Sequence, residues 1–438
     1  MRASPFSRGS KRLGLIGGAV ILTFPGMVGQ AQIREEPHQH LGVASCATSV
    51  CHGKATEQET GNVWLNEYRI WTAEDRHSRA YQTLSNAESK AIARKLGLAS
   101  AVTAKICLDC HTDNIDPAKR GPKFQLSDGI GCEACHGGAE QWITSHAEPG
   151  ATHADNLAKG MYATEKPVAR AEICISCHLG TGSQFATHQI MGAGHPRLSF
   201  ELEAFTTNQP QHYNVDEDYV ERKGRIEGFN LWLTGQLVTA DRYLSLIKTG
   251  LFDPAGAFPE LAFYDCHSCH HPMDNQRWPV SLLSQGIKPG SVRLQDHNLQ
   301  ILEGVARVLA RPEAAALTGN VRAFVRAGQV SHAAVREAAD ALLGWIRTKE
   351  KAWTTRAFSR AEVQAVRKTI VEMAANGLLA DFASAEQAFL SIESLSLALG
   401  DAGKLKSSLD KLYATVETDK GYNPGRFAAA AKGALASF

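Results

Sequence analysis

Apolar residues recur at helical spacing through the last third of the chain, and they predict a bundle of α-helices there. Two stripes each fall on one helical face: Val335, Ala339, Leu342 and Ile346, and then Val363, Val366 and Ile370. Ser359 and Glu362 have the spacing of a capping box at the start of the second helix, and Gly377 is placed to end it. A further helix is predicted to begin at Ser384–Gln387 and to end at Gly400.

The chain between Cys46 and Met273 has no long alternation of apolar and polar residues, so no strands are predicted there. Glycine- and proline-rich stretches such as residues 121–131 (GPKFQLSDGIG) indicate long loops between short helices. The predicted fold class is therefore mainly α. A linker at Ser284–Val292 (SQGIKPGSV) separates an N-terminal region, residues 32–290, from the helical region, residues 291–438, which we expect to be structural or to dock a partner.

The first 31 residues have the features of a secretory signal peptide. A basic start precedes twelve apolar residues, Leu13–Phe24, and the small residues Gly29 and Ala31 predict cleavage before Gln32. Twelve apolar residues are few for a membrane span, although an uncleaved anchor is the alternative interpretation. No other segment reaches eighteen apolar residues, so we expect a soluble, periplasmic protein with no membrane span after cleavage.

The charge of the mature chain argues against a nucleic-acid partner. The full chain has a formal charge of +1, to which the leader contributes four cations and no anion. Cleavage leaves 42 basic against 45 acidic side chains, a net charge of −3. Nucleic-acid binding proteins need a basic surface instead.

The ten cysteines fall into five motifs, and each motif ends in histidine. Four have the form Cys-x-x-Cys-His, which is typical of covalent attachment of haem c, and the first is stretched to CATSVCH. Random placement would give about 0.01 exact matches in a chain of this composition, so four copies make the interpretation specific. The predicted attachment residues are Cys46, Cys51, Cys107, Cys110, Cys132, Cys135, Cys174, Cys177, Cys266 and Cys269. The predicted iron ligands that follow them are His52, His111, His136, His178 and His270.

Zinc, disulfides and an iron–sulfur cluster are the alternatives for these cysteines. Neither zinc knuckles nor disulfides require a histidine after every second cysteine, and the spacing of a ferredoxin-type cluster is absent from the sequence. For the stretched first motif, a loose metal or disulfide pair stays open as an interpretation.

The supply of further histidines decides what each haem could do. A second imidazole gives a six-coordinate iron that passes electrons, whereas an open position admits a substrate. Methionines are few in the mature chain, so histidine is the expected sixth ligand. The spare histidines of the N-terminal region are His38, His40, His77, His146, His153, His188, His195, His212, His267 and His271.

The order of these motifs resembles that of the multihaem c-type cytochromes of the cytochrome c554 family, which share a haem arrangement with the hydroxylamine-oxidising multihaem enzymes. The resemblance covers residues 44–203 and rests on the segments CATSVCH, DRHSRAY, CLDCH, GIGCEACHGG, CISCH and MGAGHPR. The fifth motif and the C-terminal helices lie outside the family's four-haem pattern.

The resemblance also implies which haem each distal histidine serves. His77 would bind the haem held by His136, His146 the haem of His52, and His195 the haem of His178. The haem of His111 would then be the open one. His188 precedes His195 by two helical turns, which would place it on the same face and makes it the expected ligand of the fifth haem.

Two further histidines lie in the fifth motif itself. His271 is expected to bind an adjacent haem or a haem propionate, and His267 is expected to be exposed.

Electron transfer through five covalently bound haems, with redox proteins as partners, is the function that we expect. The alternative is a haem enzyme that reduces or oxidises a small nitrogen or sulfur compound at an open iron on His111. A third possibility is a haem scaffold that docks into a membrane-associated respiratory complex through its C-terminal helices. No catalytic residue is assigned.

Overall fold

Helices separated by loops make up almost all of the regular structure. The computed structural model describes residues 36–58, 60–253, 258–270, 287 and 291–438. Within these ranges, extended pairing is limited to isolated bridges, such as the one between His40 and Arg120. The prediction of a mainly α fold is confirmed. The predicted signal peptide, residues 1–31, lies outside the described residues.

Helices of 4 to 12 residues carry the first half of the chain, and helices of 11 to 22 residues carry the second. The short ones are α1 (Glu67–Ala73), α2 (Ala80–Thr83), α3 (Ala87–Lys95), α4 (Lys105–His111), α5 (Cys132–His136), α6 (His153–Ala158), α7 (Pro167–His178), α8 (His188–Ala193), α9 (Leu202–Asn208) and α10 (Glu217–Lys223). The longer ones are α11 (Gly228–Ile247), α12 (His297–Leu309), α13 (Arg311–Ala327), α14 (His332–Trp353), α15 (Arg360–Ala375), α16 (Phe382–Ala398), α17 (Ala402–Val416) and α18 (Pro424–Ala434).

The short helices enclose little apolar core of their own. One small cluster gathers Leu84, Ala93 and Leu108, and another is built around Ile175 and Leu202. Folded domains of this size normally bury much more apolar surface, because that burial must offset the conformational entropy of ordering the chain. The apolar side chains of this region therefore supply little of the burial that such a fold needs.

The C-terminal bundle follows the sequence pattern closely. Both predicted stripes are buried, and Ile346 and Ile370 are fully so. The capping box forms as predicted, since Ser359 Oγ accepts from the backbone N–H of Glu362 and Glu362 accepts from that of Ser359. Gly377 ends α15 with a φ of +69°, a conformation that favours glycine.

The helix predicted over Ser384–Gln387 begins two residues earlier. Asp381 caps α16 by accepting from the backbone N–H of Ser384 at 2.8 Å, so Phe382 is its first residue. Gly400, with a φ of +67°, follows its end as predicted.

Helix α11 was missed in the sequence, and it ties the two predicted regions together. It packs against α14, α12 and α16 of the bundle and also against α7 and α9. Trp232 and Leu237 lie in the same buried cluster as the bundle's own core residues. The predicted boundary between residues 290 and 291 thus divides stretches that share one core. No helix within the described ranges is both long and apolar enough to cross a bilayer.

Candidate functional site

Three of the five cysteine motifs end a helix on their histidine. Helices α4, α5 and α7 finish at His111, His136 and His178. Residues three and four apart lie on one face of a helix, so both thiols and the imidazole of each motif point to the same side. The motif at Cys266 forms a tight turn instead, in which the backbone N–H of His270 donates to the carbonyl of Cys266 at 2.8 Å.

The stretched first motif keeps the same backbone hydrogen bond, from its histidine to its first cysteine, despite its longer spacer. The backbone N–H of His52 donates to the carbonyl of Cys46 at 3.2 Å, as His270 does to Cys266. The additional residues loop outward, and Val50 is 82% exposed. The loop ends at Gly53, where the chain passes close to its own backbone. A Cβ at this position would lie only 2.1 Å from the carbonyl oxygen of Ala47, so the close approach requires glycine.

Each motif histidine faces a second histidine from elsewhere in the chain. The ring centroids are 6.2 Å apart for His52 and His146 (site 1), 6.3 Å for His111 and His195 (site 2), 6.4 Å for His136 and His212 (site 3), 6.3 Å for His178 and His77 (site 4) and 6.1 Å for His270 and His188 (site 5). The ring planes are 14° and 31° apart in sites 1 and 5, but 84° to 90° apart in sites 2, 3 and 4.

These separations fit one metal ion between each pair of rings. An imidazole nitrogen lies about 1.1 Å from its ring centroid and binds a transition metal at about 2.0 Å, so two rings on opposite sides of one ion have centroids about 6.2 Å apart. Direct ring stacking has no reason to repeat this value in five pairs with such different plane angles. Two thiols and one imidazole at each site are what covalent attachment of haem c requires, and the second imidazole can serve as the sixth ligand.

Two of these ring pairs agree with the expected haem assignments, and two differ from them. His146 faces His52 and His188 faces His270, as expected. His77 faces His178 instead of His136, and His195 faces His111 instead of His178. The resemblance supplied an order of ligands along the chain, but the partner of each ring depends on how the loops fold in space.

His212 is the residue that sequence reasoning missed. It lies in the loop between α9 and α10 and faces His136 in site 3. Its only signal in the sequence was its membership of the spare histidines. Because His195 faces His111, the expectation of an open position at that histidine is not favoured.

Hydrogen bonds at Nδ1 orient several of these rings. His111, His146 and His195 bond the carbonyl oxygens of Ala80, Ile143 and Pro196 at 3.0, 2.7 and 2.8 Å. His52 bonds Glu67 and His77 bonds Asp75, each at 2.9 Å. A partner on Nδ1 holds the proton there and leaves the Nε2 lone pair for a metal.

Burial keeps two further rings in the neutral form that ligation needs. It lowers the pKa of His136 to about 4 and that of His178 to about 4, so both are uncharged at neutral pH. Hydrogen bonding acts in the other direction at His52 and His77, whose pKa values are raised by Glu67 and Asp75.

Thiol contacts place the motifs side by side. The thiol of Cys46 in the first motif lies close to that of Cys132 in the third, and the thiol of Cys110 in the second lies close to that of Cys177 in the fourth. The amide of Gln184 lies 3.1 Å from the sulfur of Cys177. All ten cysteines belong to the described residues, and all are free thiols, so the disulfide interpretation has no support in this structure.

The residues before the first motif are held by hydrogen bonds and ion pairs to buried charged side chains, one of which, Glu133, lies in the third motif. Glu133 accepts from the backbone N–H groups of Leu41 and Gly42 at 2.7 Å. His40 lies 2.6 Å from Asp113 and 3.3 Å from Glu36. Burial disfavours the charged imidazole, but the two carboxylates outweigh it and raise the pKa of His40 to about 10.

Among the described residues, the other spare histidines, His38, His40, His153 and His267, face no motif histidine. His153 lies 3.1 Å from Glu165. His267, expected to be exposed, is half-buried, and its ring centroid lies 5.6 Å from that of Phe382. His271 lies outside the described residues.

Comparison with known families identifies the first part of this arrangement. Residues 45–137 match the family described as cytochrome c554 and c-prime. The match includes the first three motifs and supports the interpretation of this segment as a c-type cytochrome that resembles the c554 family. Neither a curated protein nor a solved structure matches the chain.

Proposed function

We propose that this chain is a periplasmic electron-transfer cytochrome with five covalently bound haem c groups. The ten motif cysteines would form the thioether bonds. The histidine pairs of sites 1 to 5 would hold the iron from both sides. Haem iron supplies the one-electron couple, and the protein supplies its position, its ligands and its surroundings.

The recurrence of one imidazole separation at all five motifs is the observation that supports this proposal most. A motif shows only that haem could be attached, whereas a second ring at 6.1 to 6.4 Å supplies a ligand for the opposite face. The stretched first motif has the same arrangement as the others, with His52 and His146 6.2 Å apart. This argues for five sites of one kind.

Two imidazoles per site favour electron transfer over catalysis. A six-coordinate iron changes charge with little movement of its ligands and offers no position to a substrate. Thiol contacts between the first and third motifs and between the second and fourth bring neighbouring sites together. Such proximity is what electron transfer between sites requires.

The predicted export signal at the N-terminus also supports the proposal. Haem c is attached outside the cytoplasmic membrane, and the first 31 residues have the pattern of a secretory leader. We therefore propose the periplasm as the location and redox proteins as the partners.

The proposal is tested by mass and by spin state. The secreted protein, measured under denaturing conditions, should carry the mass of five haems, and electron paramagnetic resonance of its ferric form should show low-spin iron alone. A bare polypeptide would contradict the proposal. A high-spin ferric signal would instead favour the enzymatic alternative, with a small nitrogen or sulfur compound bound at an open iron.

A pair of variants tests the ligand assignment that sequence reasoning missed. His212→Ala should keep five attached haems but convert one centre to high spin, because the ring opposite His136 is removed. His153→Ala is the matched control, since His153 is paired with Glu165 and should leave all centres low-spin. An unchanged spectrum in His212→Ala would remove His212 from site 3.

A further inference from the structure

Two of the paired imidazoles hydrogen-bond a carboxylate where others hydrogen-bond a backbone carbonyl. Glu67 accepts from Nδ1 of His52 in site 1, and Asp75 accepts from Nδ1 of His77 in site 4, both at 2.9 Å. In sites 2 and 3, Nδ1 of His111, His195 and His212 bonds a neutral carbonyl oxygen, which for His195 is that of Pro196. The chain therefore provides two kinds of electrostatic environment for otherwise similar ligand pairs.

Glu67 is held in place by the turn that precedes α1. Its Oε2 bonds His52, while its Oε1 accepts from the backbone N–H groups of Trp64 and Leu65 at 2.8 and 2.9 Å. Leu65 has a φ of +62°, a costly conformation for a residue with a side chain. This strained turn aims both N–H groups at the carboxylate and fixes its other oxygen against the imidazole.

Asp75 is held just as firmly in site 4. Its Oδ1 lies 2.9 Å from both the backbone nitrogen and the ring Nδ1 of His77. Its Oδ2 accepts from the side-chain amide of Gln209 at 3.2 Å. The residue is only 6% exposed, so little water screens its charge from the ring.

We propose that Glu67 and Asp75 set the redox balance of sites 1 and 4 by holding the reduction potentials of these two sites low. A carboxylate on Nδ1 draws the ring proton toward itself and makes Nε2 a stronger donor. The stronger donor and the nearby negative charge both stabilise ferric over ferrous iron, which lowers the potential. The inference rests on the proposed function, since it needs iron at these sites.

The test is a potentiometric titration of Glu67→Gln and Asp75→Asn. Both changes remove one charge at nearly constant shape, and asparagine still caps the turn that begins at Arg76. Loss of such an outer partner typically changes metal affinity about 10- to 100-fold, and we expect a change of this size in the preference for ferric over ferrous iron. Each tenfold loss of the preference for ferric iron raises a one-electron potential by about 59 mV.

The angle between the two imidazole planes differs between sites 1 and 4, so their ferric signals can be told apart in the same protein. Nearly parallel imidazoles split the iron dπ orbitals and give a rhombic ferric signal, whereas perpendicular imidazoles leave these orbitals nearly degenerate and give a signal with a large maximal g value. Site 1, at 14°, belongs to the first class, and site 4, at 87°, belongs to the second. Glu67→Gln should therefore raise the potential of a rhombic signal and Asp75→Asn that of a large-g signal.

Asp109→Asn is the matched control. Asp109 lies inside the second motif but bonds Lys105 and Asn114, not an iron-facing imidazole. Its loss removes the same charge near site 2, another perpendicular pair, and should move the potential of that site much less. Glu67→Asp and Asp75→Glu keep the charge and should restore part of the wild-type potential.

The outcomes separate this inference from the proposed function. A wild-type protein without haem refutes the function itself. Five low-spin haems with unmoved potentials in both variants refute only the role of Glu67 and Asp75. A rise in Asp109→Asn as large as that in Asp75→Asn also overturns the inference, because a general charge effect would then explain the shift.

Discussion

Arg293→Met should weaken the junction between the fifth motif and the C-terminal bundle. Arg293 is 9% exposed, and its guanidinium pairs with Asp381, the cap of α16, and with Asp296 at 3.3 Å. Its backbone carbonyl accepts from the N–H of Asp265 at 2.7 Å, directly before Cys266. Methionine keeps most of the volume but leaves two buried carboxylates without their cation.

The expected loss in the free energy of unfolding depends on the protonation state of these two carboxylates. Breaking a buried ion pair typically costs about 3–5 kcal/mol. Although burial favours the neutral acid, Arg293 holds the pKa of Asp381 below its ordinary value, whereas burial raises that of Asp296 to about 6. Without the guanidinium the pKa of Asp381 rises above the unfolded value, and that of Asp296, already above it, rises further. The penalty is then fully present at high pH and shrinks as the acids protonate, by about 1–3 kcal/mol between pH 7.5 and pH 5.

Urea unfolding followed by far-ultraviolet circular dichroism measures this difference at both pH values. Arg347→Met is the matched control, because Arg347 pairs with Asp241 at 2.6 Å on the surface and is 49% exposed. Its loss should cost less than about 1 kcal/mol at either pH. Equal losses in the two variants, or a loss in Arg293→Met that does not change with pH, would refute the reasoning.

Three further predictions concern other parts of the chain. Deleting Ser49 and Val50, which lie in the outward loop of the first motif, should leave five haems by mass, and the loss of one haem would show that the longer spacer is required. Ser359→Ala should lower the free energy of unfolding by about 1 kcal/mol because the α15 cap is lost, and an unchanged urea midpoint would argue against this. The ion pairs of His40 should stabilise the fold fully below pH 6.5 and be lost as the pH rises through about 10. His40→Gln should therefore flatten the decline in stability above pH 7, and an identical decline in both proteins would contradict this role.

The bundle was predictable from the sequence where each helix is buried on one side only. Val335, Ala339 and Leu342 form a stripe that periodicity reveals, and all three are buried. Helix α11 is buried on several sides, so even its polar Thr234 and Gln236 are inside and no stripe stands out. Its position between α7 and α14 depends on tertiary packing that no local pattern records.

The motifs were predictable because each is a local arrangement, but only two of the five histidine pairs were. Two thiols and an imidazole on one helical turn need only the order of residues. The opposite ring comes from a distant segment, as His212 does for His136, and any spare histidine at that position could have served. The stretched first motif belongs between these cases, since its backbone closure from His52 to Cys46 became visible only in the folded chain.

Contacts of the bundle indicate a role for it at the fifth site. Arg197, two residues after His195 of site 2, bonds Glu386 of α16 at 2.7 Å and lies over the ring of Phe382. The same ring meets His267 inside the fifth motif. Helix α16 therefore contacts the ligand segment of site 2 and the motif of site 5 together. These half-buried contacts join the bundle to both segments, so we infer that the bundle supports the position of the fifth site beside the second.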